Sequence, residues 1–364
     1  MHEAPKDAHP FEENRWTQPV RPRRAFGRTD VLTAGWYPAC TSSALRPGTA
    51  RSVRIGWQRI ALFRTAAGVA HALDAFCPHM GADLGNGRVE GDTVVCALHG
   101  WRYRSDGSCS GTSCSAAPPS TARVTRWPVH EAFGTVWVFA GETPTHAFPT
   151  CPGLEGEEVA ALPVGTVRLY AHHHAMMTGG IDLQHFKAVH GLDIAFDHET
   201  SEPEPGVLEY RLEGVIPDTG WRGRLGRRLL GERFRYGLRV AGGSIAAISY
   251  GLDQRLGGTG RPLPALHVLW GCLPLEVGVS EVRIFLLAPR RPGVTAWLPW
   301  AARIATTLGL LAVLDDDDKQ AFPHMRFHPK SLIAEDQAVI QMIRHLDALP
   351  ISTWSRERPP EADP

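Results

Sequence analysis

Two short segments of this 364-residue chain each set one Cys and one His beside glycine: CPHMGADLGNG carries Cys77 and His79, and CALHGW carries Cys96 and His99. Two thiols and two imidazoles in the order C-x-H, sixteen residues, C-x-x-H can hold tetrahedral zinc. They can also hold a [2Fe-2S] pair in which two His replace two Cys on one iron. Zinc knuckles favour C-x-x-C and H-x3-H pairs, whereas here each loop gives one ligand of each kind. That lets the two Cys share one iron and the two His the other, so the spacing favours the iron–sulfur reading over zinc. Gly81, Gly85, Gly87 and Gly100 permit tight loops and close backbone approach to bridging sulfides. Cys109 and Cys114 lie beyond the pattern and read as packing or free thiols.

About ninety residues on, GGIDLQHFKAVHGLDI places Asp182, His185 and His190 as D-x-x-H-x4-H. Two His and one carboxylate form the facial set of a non-haem iron with open coordination positions. The five-residue step between the His turns about 140° on an ideal helix. The two imidazoles therefore converge only if His190 sits at a frayed helix end, which Gly191 permits. A carboxylate ligand is expected late in the chain, from the acidic run with Asp317 and Asp318 or from Glu335 and Asp336. The four-Asp run reads as a solvated turn, with Pro323 interrupting any ligand-bearing helix. Glu335 and Asp336 open a Pro-free helix whose Val339, Ile340 and Ile343 can face a core, although acidic residues also suit a helix N-terminus for its dipole alone.

These residues need a scaffold. From GWYPAC to GTVWVFAG the chain runs in short alternating or β-branched segments between Gly, Asn, Asp and Pro turns, the pattern of a small all-β domain closing at residues 134–139. A Pro/Gly/Glu-rich connection follows at 141–165. Beyond it come a strand at 166–174 that puts His172 and His174 on one face, a helix over about 179–190, and strands near 207–216, 244–250, 265–273 and 281–288. Helices near 297–314 and 332–346 complete an α+β domain with an antiparallel sheet. The Arg-rich run 221–239 reads as solvated surface with a lesser claim to dock an acidic electron donor, and AHHHAMM as sheet rather than a metal site. The boundaries are a flexible arm at 1–30, domains at 31–145 and 146–350, and a tail at 351–364.

Lys plus Arg and Asp plus Glu balance at 38 each, so no net field recruits nucleic acid or an anionic membrane. The N-terminus lacks the apolar segment of a signal peptide. Seven Cys, an odd number, point to a reducing compartment, with the cytoplasm as the default. The run 298–314 is shorter than a bilayer requires and contains Arg303, so no transmembrane segment is expected. No G-x-G-x-x-G joins a strand to a helix, which leaves no dinucleotide site and makes another protein the source of electrons.

CPHMGADL and CALHGWRYRSDGSC resemble the two cluster loops of the Rieske non-haem iron oxygenases, and the resemblance extends over roughly residues 33–346. It lies with the oxygenase (alpha) subunits of the 3-ketosteroid 9α-hydroxylase, cholesterol 7-desaturase and aminopyrrolnitrin oxygenase type. It implies a Rieske β-domain followed by a helix-grip-like catalytic domain, with Cys77 and Cys96 on the inner iron and His79 and His99 on the outer. By the same likeness His185 and His190 hold a mononuclear Fe(II), EDQAVI makes Asp336 the third ligand, and Asp182 bridges electron transfer from a neighbouring subunit. Many members carry Asn where this chain has Gly179. The resemblance further implies a homotrimer fed by a ferredoxin or flavoprotein reductase. Its activity would be O2-dependent monooxygenation, first of all hydroxylation, of a hydrophobic polycyclic or aromatic substrate. Desaturation, demethylation, arylamine N-oxygenation or plain Rieske electron transfer are the alternatives.

Overall fold

A computed structural model describes residues 25–355, apart from 29, 115–116, 190, 192, 256–259, 261, 263, 291–324 and 326–328. Eleven strands make up the first part: β1 (Trp36–Thr41), β2 (Ala50–Ile55), β3 (Gln58–Arg64), β4 (Ala70–Asp74), β5 (Arg88–Glu90), β6 (Thr93–Val95), β7 (Arg102–Arg104), β8 (Cys109–Gly111), β9 (Arg126–Trp127), β10 (Val129–Ala132) and β11 (Thr135–Phe139). They pair antiparallel as three small sheets, β1-β11-β10, β2-β3-β4-β9 and β5-β6-β7-β8. The apolar run IALF in β3 is buried on both faces because alternate side chains enter different cores. Ile60 and Leu62 join Tyr37, Val136 and Val138. Ala61 and Phe63 join Cys77, Cys96 and Tyr103.

The second part is one seven-stranded antiparallel sheet. Its strands are β12 (Val159–Leu169), β13 (Ala195–Glu204), β14 (Val207–Val215), β15 (Arg233–Ala241), β16 (Ile245–Tyr250), β17 (Leu266–Glu276) and β18 (Val279–Pro289), in the spatial order β12-β18-β17-β16-β15-β14-β13. Among the described residues the helices are α1 (His173–Thr178), α2 (Leu183–Ala188), α3 (Gly220–Leu230) and α4 (Gln337–Ala348). The sheet's apolar face and α4 share a core in which Ala338, Val339, Met342 and Leu346 meet Leu208, Tyr210, Leu238 and Val240. The Tyr210 hydroxyl donates to the Ala338 carbonyl across that core at 2.8 Å. Among the described residues no helix is long and apolar enough to cross a membrane.

The expected α+β architecture with an antiparallel sheet is the one observed, but several elements differ from the reading of the sequence. The connection after β11 ends at Val159, where β12 begins, and β12 stops at Leu169, so His173 and His174 open a helix instead of continuing a strand. The helix expected over 179–190 is shorter, α2 alone, and Gly179 and Gly180, of low helix propensity, separate it from α1. Strands β13 and β15 were not anticipated, because their alternating charged residues mask the sheet period. The Arg-rich run resolves into α3 followed by β15. On α4 the buried stripe runs Ala338, Val339, Met342, Leu346, and Ile340 and Ile343 are only partly covered. The expected 297–314 helix, most of the 1–30 arm and most of the 351–364 tail lie outside the described residues.

The two parts share apolar contacts. Trp36, Trp137 and Phe139 pack with Ile245, Leu269, Phe285 and Leu287, while the Ser244 hydroxyl donates to the Trp36 carbonyl at 3.0 Å. Gly271 lies against Trp137, where an added Cβ would stand 2.4 Å from ring carbons. Gly271→Ala should therefore destabilise the fold by about 1–3 kcal/mol through overpacking. A urea midpoint equal to that of the native chain would contradict this close fit.

His146 is 4% exposed, and burial holds its pKa down to about 4, with Glu204 opposing and His345 reinforcing the shift. The unfolded chain binds this proton below about pH 6.5 and the folded chain only below about 4. Its contribution is thus fully present above pH 6.5 and lost as pH falls to 4, about 3 kcal/mol at roughly 1.4 kcal/mol per pH unit. Denaturant titrations of His146→Gln should show a shallower loss of stability across pH 6.5–4, and an unchanged slope would assign the acid sensitivity elsewhere.

Candidate metal centres

The two Cys/His loops share one hydrogen-bond scheme. In the first, the Cys77 N–H donates to the Ala82 carbonyl (2.9 Å) and the Gly81 N–H to the Cys77 carbonyl (2.8 Å). In the second, the Cys96 N–H donates to the Trp101 carbonyl (2.8 Å) and the Gly100 N–H to the Cys96 carbonyl (3.0 Å). Gly81 and Gly100 have φ of 75° and 67°, a conformation any L side chain would strain. Gly85 serves a different end from close approach to a cofactor: its Cβ would meet the Ser52 backbone nitrogen at 2.4 Å. An ion pair between Arg59 and Asp83 at 2.8 Å, together with the Gly85 N–H donated to the Asp83 carboxylate, braces the same loop.

Cys77 and Cys96 are 2% and 1% exposed, whereas His79 is exposed and His99 half-buried. The imidazole centroids are 4.6 Å apart. Burial pushes the Cys77 thiol up, partly offset by the Tyr103 hydroxyl 3.1 Å from its sulfur. A buried thiol raised in this way ionises only beside a cation. Two inner sulfurs and two outer imidazoles form the donor set of a [2Fe-2S] pair with one iron on Cys and one on His. Trp101 and Tyr103 were not singled out in the sequence, although GWRY directly follows the second loop. Trp101 stacks on His79 at 4.3 Å and 9°, which fixes that ring.

At the second constellation Asp182 caps α2, accepting the Gln184 and His185 N–H groups at 3.2 and 3.4 Å. His185 Nδ1 closes on the Asp182 carbonyl oxygen. The proton therefore sits on Nδ1, the tautomer usual for a His that ligates a metal through Nε2. Gln184, also not foreseen, donates from Nε2 to Asp336 Oδ1 at 2.7 Å. Asp336 Oδ2 accepts the Ile333 N–H at 2.9 Å, and further lone pairs on both oxygens remain. Asp182, His185 and Asp336 are thus joined through α2. His190, Asp317 and Asp318 lie outside the described residues.

One other group of ligand-type side chains gathers among the described residues: His172, His173 and His174, with donor atoms within 4.8 Å of one another. Their lone pairs are largely committed. His172 Nδ1 accepts the His174 N–H (3.1 Å) and its other nitrogen meets the Arg28 carbonyl (3.1 Å), while His174 Nδ1 accepts the Gly27 N–H (3.1 Å). Only His173 keeps a lone pair for an ion without breaking one of these bonds. His172 caps α1, and His172 and His174 together anchor Gly27 and Arg28. Burial holds all three imidazoles neutral by lowering their pKa.

Toward a thiolate the Tyr103 hydroxyl can only donate, and it favours the more negative, reduced state of a cluster. Tyr103→Phe should lower the reduction potential measured by protein-film voltammetry while the visible absorption is retained. A potential equal to or above the native value would remove this role.

Comparison with known proteins bears on both centres. Residues 35–128 match the family model described as the Rieske [2Fe-2S] domain. Cholesterol 7-desaturase of Ciona intestinalis is 32% identical over 182 residues, 47% of this chain and 38% of that protein. The 4beta-methylsterol monooxygenase of Methylococcus capsulatus is 33% identical over 178 residues, 46% of this chain and 47% of its own length. The chain thus spans less than half the length of these relatives. Among solved structures, the terminal oxygenase of carbazole 1,9a-dioxygenase from Novosphingobium matches with a TM-score of 0.64 at 17% identity, covering 91% of this chain and 96% of that one. Dicamba monooxygenase matches at 0.56 and 18%, covering 85% and 95%. Residues 35–128 therefore form a Rieske [2Fe-2S] domain, carried in a chain that has the fold of Rieske oxygenase terminal subunits.

Proposed function

We propose that the chain is the oxygenase component of a Rieske non-haem iron monooxygenase that hydroxylates a hydrophobic polycyclic or aromatic substrate. The observation that carries the proposal is the joining of Asp182, His185 and Asp336 through α2, with His185 Nδ1 held at the Asp182 carbonyl, the tautomer of a ligating imidazole. In this reading Cys77, His79, Cys96 and His99 hold the cluster, and His185, His190 and Asp336 hold a mononuclear iron. Bound there, the two centres supply one-electron transfer and dioxygen activation.

The chain's own groups position and exclude. The Asp182 carbonyl keeps the Nδ1 proton in place, Gln184 steers the Asp336 carboxylate, and the second Asp182 oxygen remains available to an outside imidazole. Phe186, Phe234, Tyr250, Leu266, Trp270 and Ile284 are partly buried apolar side chains packed against the sheet–helix core, the kind of apolar surface a flat hydrophobic substrate requires. The sterol-acting relatives support the polycyclic class. Desaturation, demethylation or arylamine N-oxygenation would use the same scaffold.

The proposal includes a Rieske domain at 31–145, a catalytic domain at 146–350, a cytoplasmic homotrimer, and a ferredoxin or flavoprotein reductase as donor. Exposed Phe76, Met80 and Leu98 beside the cluster loops suit a protein face there. The competing reading is a Rieske electron carrier without an iron triad. His185→Ala should keep the cluster's absorption, lower iron from about three to about two per chain, and abolish donor-dependent oxygen uptake with sterols or aromatic amines. About two irons in the native chain, and no effect of His185→Ala, would establish the carrier instead.

A further inference from the structure

Helix α3 lies at the end of the sheet formed by the last residues of β14 and β16 and the first of β15 and β17, as the pairs Val215 with Arg233 and Tyr250 with Leu266 define. It presses its glycine side inward: Gly223 is buried, and a Cβ there would meet the Pro217 carbonyl oxygen at 2.5 Å. Trp221, Arg224, Leu225 and Arg228 follow one another at the i, i+3, i+4, i+7 spacing of a single helix face. Trp221 and Leu225 are 68% and 47% exposed, Val215 at the end of β14 is 49% exposed, and both Arg are exposed. Such a face leaves large apolar groups in water beside guanidinium groups.

Charge narrows what covers it. Between Asp218 and Arg235 the sequence has six Arg against two acidic residues, in a chain whose charges balance overall. Arg227 pairs with Glu232, and Arg233 and Arg235 pair with Glu213. Arg224 and Arg228 have no ion pair among the described residues. Two cations alternating with an indole and a leucine on a surface helix match an anionic lipid interface, where the indole sits at headgroup depth and the guanidinium groups meet phosphate. Phe234, Tyr250 and Leu266, at the same end of the sheet, continue the apolar surface inward.

We propose that the Trp221/Arg224/Leu225/Arg228 face of α3 docks the protein on an anionic membrane surface. Docking needs no substrate, so it stands or falls separately from the oxygenase reading. The test is co-sedimentation of the full chain, cluster loaded, with phosphatidylcholine vesicles with and without phosphatidylglycerol. Partitioning should require phosphatidylglycerol and weaken in high salt. It should drop roughly five-fold per arginine, about twenty-five-fold for Arg224→Ala with Arg228→Ala, and drop again for Trp221→Ala. Undiminished cluster absorption certifies the fold of each variant. Failure of the native chain to bind anionic vesicles, or binding that all three substitutions leave unchanged, overturns the proposal. Substitutions that weaken only electron transfer from a donor protein would overturn it too, assigning the face to an acidic protein.

Discussion

Two thiols buried side by side are the constraint around which the first domain is arranged. Both sulfurs are out of water, and burial disfavours the charged form of Cys77, which therefore depends on a cation held between the loops. That demand fixes the backbone before it fixes any ligand. Both loops fold back on their own Cys through a glycine of positive φ, and Ala61 and Phe63 of β3 close the space beneath them. The imidazoles, which can ligate while neutral, are the ones left facing solvent, where a redox partner can reach them.

The second centre depends on a different device, the helix cap. Asp182 satisfies backbone donors of α2 with its side chain and orients His185 with its carbonyl, so a single residue sets both the start of the helix and the tautomer of the imidazole. Gly179 and Gly180 make this possible by ending α1 early, because inside one continuous helix Asp182 would lose the extended backbone from which its side chain caps α2. Gln184 then ties the late segment at Asp336 to α2 across 152 positions of sequence.

How much of this the sequence disclosed follows from the range of each interaction. The Cys/His loops were legible because their ligands are local and their glycines mark the turns. Asp182 and His185 were legible for the same reason. The break between α1 and α2 was written in GG, yet His-rich flanks suggested a strand, and only burial of His173 and His174 in the fold decides for helix. Strand β13 was obscured by its largely polar, exposed sequence, and β15 by Arg233, Arg235 and Arg239, whose charges pair with Glu213 and Glu209 on β14. Those pairings are long-range, and no local period reports them. Gln184 and Tyr103 escaped notice because their importance lies in what they touch, Asp336 and Cys77.

The two faces of β3 also bear on how the centres communicate. Ile60 and Leu62 point to the core that includes Leu273 and Trp354, where the first part meets the second. Ala61 and Phe63 point the other way, to a core that holds Cys77 and Cys96 and draws only on residues 50–124. The strand therefore turns the Cys/His loops away from the seven-stranded sheet, and His79, Phe76, Met80 and Leu98 are exposed there. In the proposed function an electron leaving through His79 or His99 would be directed outward, to a protein face over those residues. If the oxygenase reading holds, that orientation makes a second copy, offering its own Asp182 and His185, the natural acceptor, and ties catalysis to assembly through the alternation of four residues in one strand.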